Sequence, residues 1–321
     1  MGKTHRATFA SGALAFAATT ACVALVCAAL FGCHGRERRP VSSWALYYGG
    51  AAEDIVQRLS GYDLVVIDAN ALGEGARATV AALKGAGCRV IAYLSAVEVA
   101  SWHRYRDRVD DSWYIRVGGD YWSPWGGSSV SWAANRAASL AEPGWRGLLL
   151  DLVASEALDY GCDGVFFDTL EDLDFVSLPA EEAARQREGL REFMSALREK
   201  YPDALFVANR TLQAALDAVA PFVDGVCWES FRPAYFRDEN TRRWMDDVAA
   251  HISAANAAAI RSGRGFQVLS LYNEDKKTDD FPAQAEEMRE ISARFGYVPY
   301  CVNGPYSTPP PQASRRPSGA R

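Results

Sequence analysis

The sequence is poor in the residues and spacings that hold metals and nucleotides. Its four His (His5, His34, His103 and His251) are scattered over 321 residues and no C-x-x-C pair occurs, which excludes a zinc site of the usual spacing. No G-x-G-x-x-G or G-x-x-x-x-G-K-S/T follows an apolar run, so the loops that cradle dinucleotides and triphosphates are missing and no cofactor is expected. Positive charge is also in deficit. Lys and Arg number 34 against 40 Asp and Glu, a net charge of −6; residues 1–32 hold two of those bases and no acid, so without them the balance is −8, the wrong sign for a nucleic-acid partner. What is present is ordinary globular material, 49% hydrophobic and 23% charged, in a chain long enough to bury a sizeable core without disulfides.

A long uncharged run stands near the start. Lys3, His5 and Arg6 precede residues 8–31, which carry no charge, and Leu30-Phe31-Gly32-Cys33 closes the run. This is the order of an export signal, and its ending resembles a bacterial lipobox, in which a small residue precedes the Cys that is lipidated. Residues 1–33 are therefore expected to be a signal peptide with Cys33 as the lipid-bearing residue; a plain secretory signal and an uncleaved N-terminal anchor are the alternatives. Each places the rest of the chain outside the cytoplasm, membrane-anchored or secreted. Polar residues 34–43 read as a linker, residues 44–306 as the folded domain, and the Pro-, Ser- and Arg-rich residues 307–321 as a disordered tail. Of the seven Cys, Cys88, Cys162, Cys227 and Cys301 fall in the domain, where a Cys88–Cys162 disulfide and four buried thiols are both open.

Within the domain, eight short apolar or β-branched runs recur at 44–48, 63–68, 88–94, 163–168, 204–209, 224–229, 266–272 and 297–302. Helical patterns fill the gaps. Leu190, Phe193, Met194 and Leu197 lie on one helical face ahead of Pro202, and Pro143 opens a helix through Leu148, Leu149 and Leu152. Strand–helix alternation implies parallel strands, and eight such units predict a single (β/α)8 barrel, with an open doubly wound sheet as the alternative.

In a barrel the chemistry sits where the strands end. Here those ends carry Asp68, Tyr93 with Ser95, Asp168, Asn209, Glu229, Tyr272 with Asn273, and Asn303. Any one of them also reads as a turn former or helix cap. Asp168 and Glu229 are the strongest candidates. Each closes a run that opens on Asp-Gly (Asp163-Gly164, Asp224-Gly225), and the strand period of two puts each acid on the face of its Gly and of Phe166 or Cys227, toward the barrel interior. Two carboxylates at one mouth suit glycoside hydrolysis, and Phe166, Phe167 and Trp228 are expected to supply the desolvation that separates their pKa values. The alternative is a divalent-metal site from Asp168, Glu171, Asp172 and Asp174, which also reads as a solvated acidic loop.

Six of the nine Trp (Trp102, Trp113, Trp122, Trp125, Trp132 and Trp145) crowd between residues 102 and 145. Flat rings among polar residues suit sugar stacking; a long loop with its own small core is the competing reading.

These motifs together resemble the barrels of glycoside hydrolase family 114, which include the endo-α-1,4-polygalactosaminidases. The resemblance rests on Tyr47-Tyr48-Gly49, Val-Val-Ile-Asp ending in Asp68, the run from Ile91 to Glu98, Asp163 to Asp168, and the strand ending in Glu229, and it spans residues 44–304. It implies an extracellular hydrolase of galactosamine-containing polysaccharide with Asp168 and Glu229 as the catalytic pair. Asp68, Tyr93, Glu98 and Asn209 match positions where that family keeps polar residues around the sugar; Tyr47, Trp228 and Tyr272 complete the candidate binding set. Val97 stands where a Gly commonly precedes the third-strand Glu, and Thr169-Leu170-Glu171-Asp172 departs from the usual ending, which marks a divergent branch. By analogy with other α-galactoside barrels, Asp168 is assigned as nucleophile and Glu229 as acid/base, with reversed roles open. A non-catalytic polysaccharide-binding lipoprotein and a metal-dependent hydrolase or deacetylase are the alternatives to a retaining endo-glycosidase.

Overall fold

The computed structural model describes residues 39–125, 135–175, 177–274 and 277–312. The expected signal segment with Cys33, Trp132, and residues 313–321 of the expected tail lie outside them.

The apolar runs form the strands. β1 (Trp44–Tyr47), β2 (Leu64–Ile67) and β3 (Arg89–Ser95) precede an excursion with four two-residue strands, β4 (Glu98–Val99), β5 (Arg116–Val117), β6 (Asp120–Tyr121) and β7 (Arg136–Ala137). β8 (Gly164–Asp168), β9 (Leu205–Asn209), β10 (Gly225–Glu229), β11 (Gln267–Glu274) and β12 (Val298–Asn303) follow. β1, β2, β3, β8, β9, β10, β11 and β12 lie side by side in that order, every neighbouring pair parallel. Side chains bring the last strand back to the first: the Trp44 indole donates to the Val298 carbonyl at 2.9 Å and the Tyr300 hydroxyl to the Leu46 carbonyl at 3.3 Å. The result is a (β/α)8 barrel and not an open sheet.

A helix follows each of the first seven barrel strands: α1 (Ile55–Leu59), α2 (Ala76–Gly85), α3 (Pro143–Glu156), α4 (Ala180–Lys200), α5 (Ala214–Val219), α6 (Glu239–Arg261) and α7 (Phe281–Phe295). Pro143 occupies the first turn of α3, where its missing N–H costs nothing. The Asp238 carboxylate caps α6 by accepting from the Thr241 amide at 2.8 Å. Leu190, Phe193, Met194 and Leu197 form the buried face of α4. After β12, no helix follows among the described residues. Residues 304–312 run instead as a strap across the barrel, with the Tyr48 amide donating to the Tyr306 carbonyl at 2.9 Å and the Tyr62 hydroxyl to the Pro311 carbonyl at 3.0 Å.

Partners in parallel register face the same way. Ser95 pairs with Asp168, Phe166 with Val207, and Asn209 with Cys227, so Asp168, Asn209 and Glu229 share the interior face of three adjacent strands. Gly164 permits this packing: a Cβ there would stand 1.8 Å from the Leu205 carbonyl oxygen. The alternate residues face the helices. Phe167 packs on Phe193 of α4, Trp228 on Phe231, Trp244 and Tyr297, and Tyr272 stacks on Phe281 of α7.

At the amino-terminal ends of the strands, Asp63, Asp163 and Asp224 tie neighbours together. Asp63 accepts from the Ser42 and Ser43 amides at 2.8 and 3.1 Å; Asp163 accepts from the Val90 amide at 2.9 Å, and Asp224 from the Phe206 amide at 3.0 Å. The domain cysteines are four free thiols, so no Cys88–Cys162 disulfide forms; the Cys88 thiol points to the Leu59 carbonyl.

Candidate active site

Three consecutive barrel strands end in a polar side chain followed by a residue in the left-handed region. Asp168 precedes Thr169 at φ 68°, Asn209 precedes Arg210 at φ 50°, and Glu229 precedes Ser230 at φ 59°. Non-glycine residues adopt this conformation at a cost of about 1 kcal/mol or more each, and the surroundings must hold them there. Thr169 shows how. Its Oγ1 accepts from the amides of Val97 and Glu98 at 2.9 and 3.2 Å, which locks the β3–β4 turn against the end of β8.

The turns present Asp168, Asn209 and Glu229 to one another above a cavity of about 450 Å³. The Asn209 side-chain amide donates to both carboxylates, at 2.8 Å to Asp168 Oδ1 and 2.6 Å to Glu229 Oε2. These two oxygens are therefore no farther apart than the two bonds laid end to end. Each carboxylate also has a tyrosine. Tyr93 hydrogen-bonds Asp168, and the Tyr306 hydroxyl donates to Glu229 Oε1 at 2.7 Å. Tyr48 stands between the two phenols, its ring 4.8 Å from that of Tyr93 and 5.7 Å from that of Tyr306. Burial first, then the nearby carboxylates, raises all three phenols well above their usual range.

Acids crowd this mouth. Burial and then Asp168 push the Glu229 carboxyl up, against Asn209, Tyr306 and Arg210, which favour its ionised form. Glu171, in the turn after β8, is pushed up to about 8 by burial and by Asp168, with Arg210 Nε 3.4 Å away opposing the shift. Asp172 is fully buried and neither of its oxygens receives a hydrogen bond from an N–H or hydroxyl donor. Burial, then Glu171 and Glu98, pushes Asp172 well up. Glu98 in turn accepts from the Trp125 indole and the Asn135 amide, both at 2.6 Å.

Of the residues singled out from sequence, Asp68, Tyr93, Glu98, Asp168 and Glu229 line this cavity and Asn209 bridges the last two. Asp68 also forms its turn, accepting from the amides of Asn70 and Ala71 at 2.9 and 3.2 Å. Tyr47, Trp228 and Tyr272 are corrections: all three point away from the cavity. Tyr47 donates to the Gly50 carbonyl at 2.7 Å, Tyr272 sits 2.8 Å from both Glu274 Oε1 and Gln284 Oε1, and Trp228 packs under α6. The desolvation expected from Phe167 and Trp228 therefore has another source, since both face the helices. The four acids of the metal alternative do not converge. Asp174 turns to the amide of Ala215 at the start of α5, and among the described residues no group of three His, Cys, Asp or Glu side chains is arranged to hold a metal ion.

The Trp cluster divides. Trp102, 66% exposed, and Trp125 line the cavity, whereas Trp145 donates to the Ala96 carbonyl at 3.0 Å and Trp122 is buried in the excursion. Trp113 packs so close on α3 that a Cβ at Gly144 would stand 2.3 Å from its ring. Tyr48, Tyr306 and Arg210 complete the site and were not among the predicted binding residues; Glu171 and Asp172, expected only for the metal alternative, join them. The one-residue ambiguity of a motif such as Tyr47-Tyr48-Gly49 is settled only by strand phase.

Comparison with known proteins gives the same fold. Residues 34–252 match the profile of glycoside-hydrolase family GH114. No curated protein sequence matches the chain. Among solved structures, the glycoside hydrolase domain of PelA from Pseudomonas aeruginosa is similar at 23% identity, covering 85% of this chain and 99% of its own, with a TM-score of 0.63. Ega3 from Aspergillus fumigatus, solved with galactosamine, is similar at 17% identity over 83% of this chain and 94% of its own, with a TM-score of 0.57. An α-galactosidase from Thermus thermophilus, solved with stachyose, has a TM-score of 0.51 at 15% identity over 83% of this chain and 62% of its own.

Proposed function

Because the chain belongs to glycoside-hydrolase family GH114, we propose that it cleaves galactosamine-containing polysaccharide internally, with retention, through Asp168 and Glu229. The observation that carries this reading is the Asn209 amide shared between the two carboxylates. It draws the nearer oxygens of the two carboxylates closer together than the ~6.5 Å typical of inverting pairs, which supports retention.

In the first step Asp168 attacks the anomeric carbon while Glu229 gives its proton to the departing glycosidic oxygen. In the second, Glu229 takes a proton from water as that water displaces Asp168, which restores both groups. Burial suits Glu229 to the acid role, since its carboxyl is pushed up and holds a proton to higher pH than an exposed one. Asp68, Glu98 and Trp102 at the cavity wall are assigned to the sugar, the acids to a protonated amine and the exposed indole to a ring face. The galactosamine solved with Ega3 supports the choice of sugar.

The test is release of reducing ends from an α-1,4-galactosamine polymer against a panel of other polysaccharides. Wild type is expected to act on the amino-sugar polymer, and Asp168→Asn and Glu229→Gln to lose at least about a hundredfold in turnover. Binding without release by any of the three proteins would instead indicate a polysaccharide-binding lipoprotein. Export on residues 1–33 with a lipid on Cys33 belongs to the same reading. Incorporation of labelled fatty acid that is lost in Cys33→Ser would support the anchor; equal labelling of both would exclude it.

A further inference from the structure

The two carboxylates receive matching sets of donors, but their tyrosines come from different places. Tyr93 lies on β3, inside the barrel wall, whereas Tyr306 lies on the strap beyond the last strand. We propose that Tyr306 is a positioning residue for Glu229, a hydroxyl delivered by the strap that holds the acid/base in both of its protonation states. This rests on the assignment of Glu229 above.

Glu229 has to be protonated in one half of the reaction and ionised in the other. Its Oε2 faces the Asn209 amide, which can only donate and so serves an unprotonated oxygen. Its Oε1 faces the Tyr306 hydroxyl at 2.7 Å, a group that can donate or accept. When Glu229 is ionised, Tyr306 donates to it; when Oε1 carries the proton, the phenol rotates its own hydrogen away and accepts, until a glycosidic oxygen takes that proton. No bond to the tyrosine forms or breaks.

The strap is built to bring that hydroxyl to a fixed point. Gly304, at φ 124°, turns the chain out of β12 and its amide donates to the Glu274 carbonyl at 2.7 Å; a Cβ there would stand 2.9 Å from Thr308 Oγ1. The Tyr306 carbonyl is held by the Tyr48 amide, and the Tyr306 ring meets the Tyr48 ring edge-on. The Pro311 carbonyl is held in turn by Tyr62. Other groups also face Glu229: Asp168 from β8, Glu171 from the turn after it, Arg210 just after β9, Tyr48 just after β1, and Cys227 on its own strand. Replacements at Tyr306 leave all of these in place.

The experiment is the pH profile of kcat/KM for the full chain on the galactosamine polymer. Tyr306→Phe removes a donor that favours ionised Glu229, so the alkaline limb is expected to move up by about half a unit or more. A fluorotyrosine at 306, nearly isosteric and a stronger donor, is expected to move it down. Opposite shifts cannot come from a loosened strap, and the fluorinated residue keeps the fold if Tyr306→Phe does not. Profiles that superimpose on wild type in both variants overturn the proposal while leaving Glu229 as the acid. A wild-type rate in Glu229→Gln overturns that assignment itself.

Discussion

β8 and β10 each carry an acid at both ends, and the two ends of the barrel treat their acids in opposite ways. Where the strands begin, Asp163 meets Lys84 Nζ at 2.8 Å and Asp224 meets Arg198 and Arg264 at 2.9 and 2.8 Å, while each also accepts a backbone amide from a neighbouring strand. Where they end, Asp168 and Glu229 sit among Glu171, Asp172 and Glu98, with Arg210 as the cation in their midst. At the first end, charge ties strands together. At the second, carboxyls are crowded, pushed up by burial and by one another, and mounted on three left-handed turns. A barrel can carry this strain at its carboxyl-terminal mouth because the other end is well paired.

The sharpest way to break this contrast is to exchange the effects of its two ends. Glu229→Gln is expected to abolish turnover and leave stability equal to wild type or higher, since it removes a buried, repelled charge. Asp224→Asn is expected to do the reverse. It removes the charge that two guanidiniums share and turns one of its two acceptor oxygens into a donor, at a cost of about 3 kcal/mol of unfolding free energy in denaturant, with turnover per folded molecule unchanged. If Asp224→Asn lowered turnover while the midpoint stayed put, the division between a structural and a chemical end would be wrong.

The same contrast explains what could be read in advance. Asp168 and Glu229 were legible because a glycine and an acid bracket each run, so strand period alone sets the phase. In β1 that marker is missing: Trp44, Ala45, Leu46 and Tyr47 are all buried, and nothing in their order says which alternate faces inward. The sequence does not separate Tyr47 from Tyr48, and it is Tyr48 that faces the acids. Tyr272 is one position out of phase in the same way, whereas Trp228 stands between Cys227 and Glu229 and already falls on the outer face by the phase that Glu229 sets. Arg210, Thr169 and Ser230 gave no signal, because propensity does not favour left-handed turns at such residues; tertiary contacts impose them. Tyr306 lies beyond the last predicted strand, in reach of Glu229 only once the barrel has closed.

A smaller effect sharpens the comparison through pH. Burial and Asp168 raise Glu171 to about 8 in the folded chain, against an ordinary carboxyl value of 4.5. A raised folded pKa means that the stabilising, neutral form is fully present below the ordinary value and is lost as pH climbs through about 8. Wild type should therefore lose stability across that window, and Glu171→Gln, neutral throughout, should lose less of it. Arg210 and solvent reduce the effect, so the difference between the two midpoints is expected to open by roughly 1 to 2 kcal/mol from pH 5 to pH 8.5. Because Asp172 is raised in part by Glu171, the substitution also lets Asp172 ionise at lower pH, which widens the difference in the same direction. A difference that stays flat with pH would place the proton elsewhere in the cluster. A difference that narrows would mean that the Arg210 ion pair outweighs burial at Glu171.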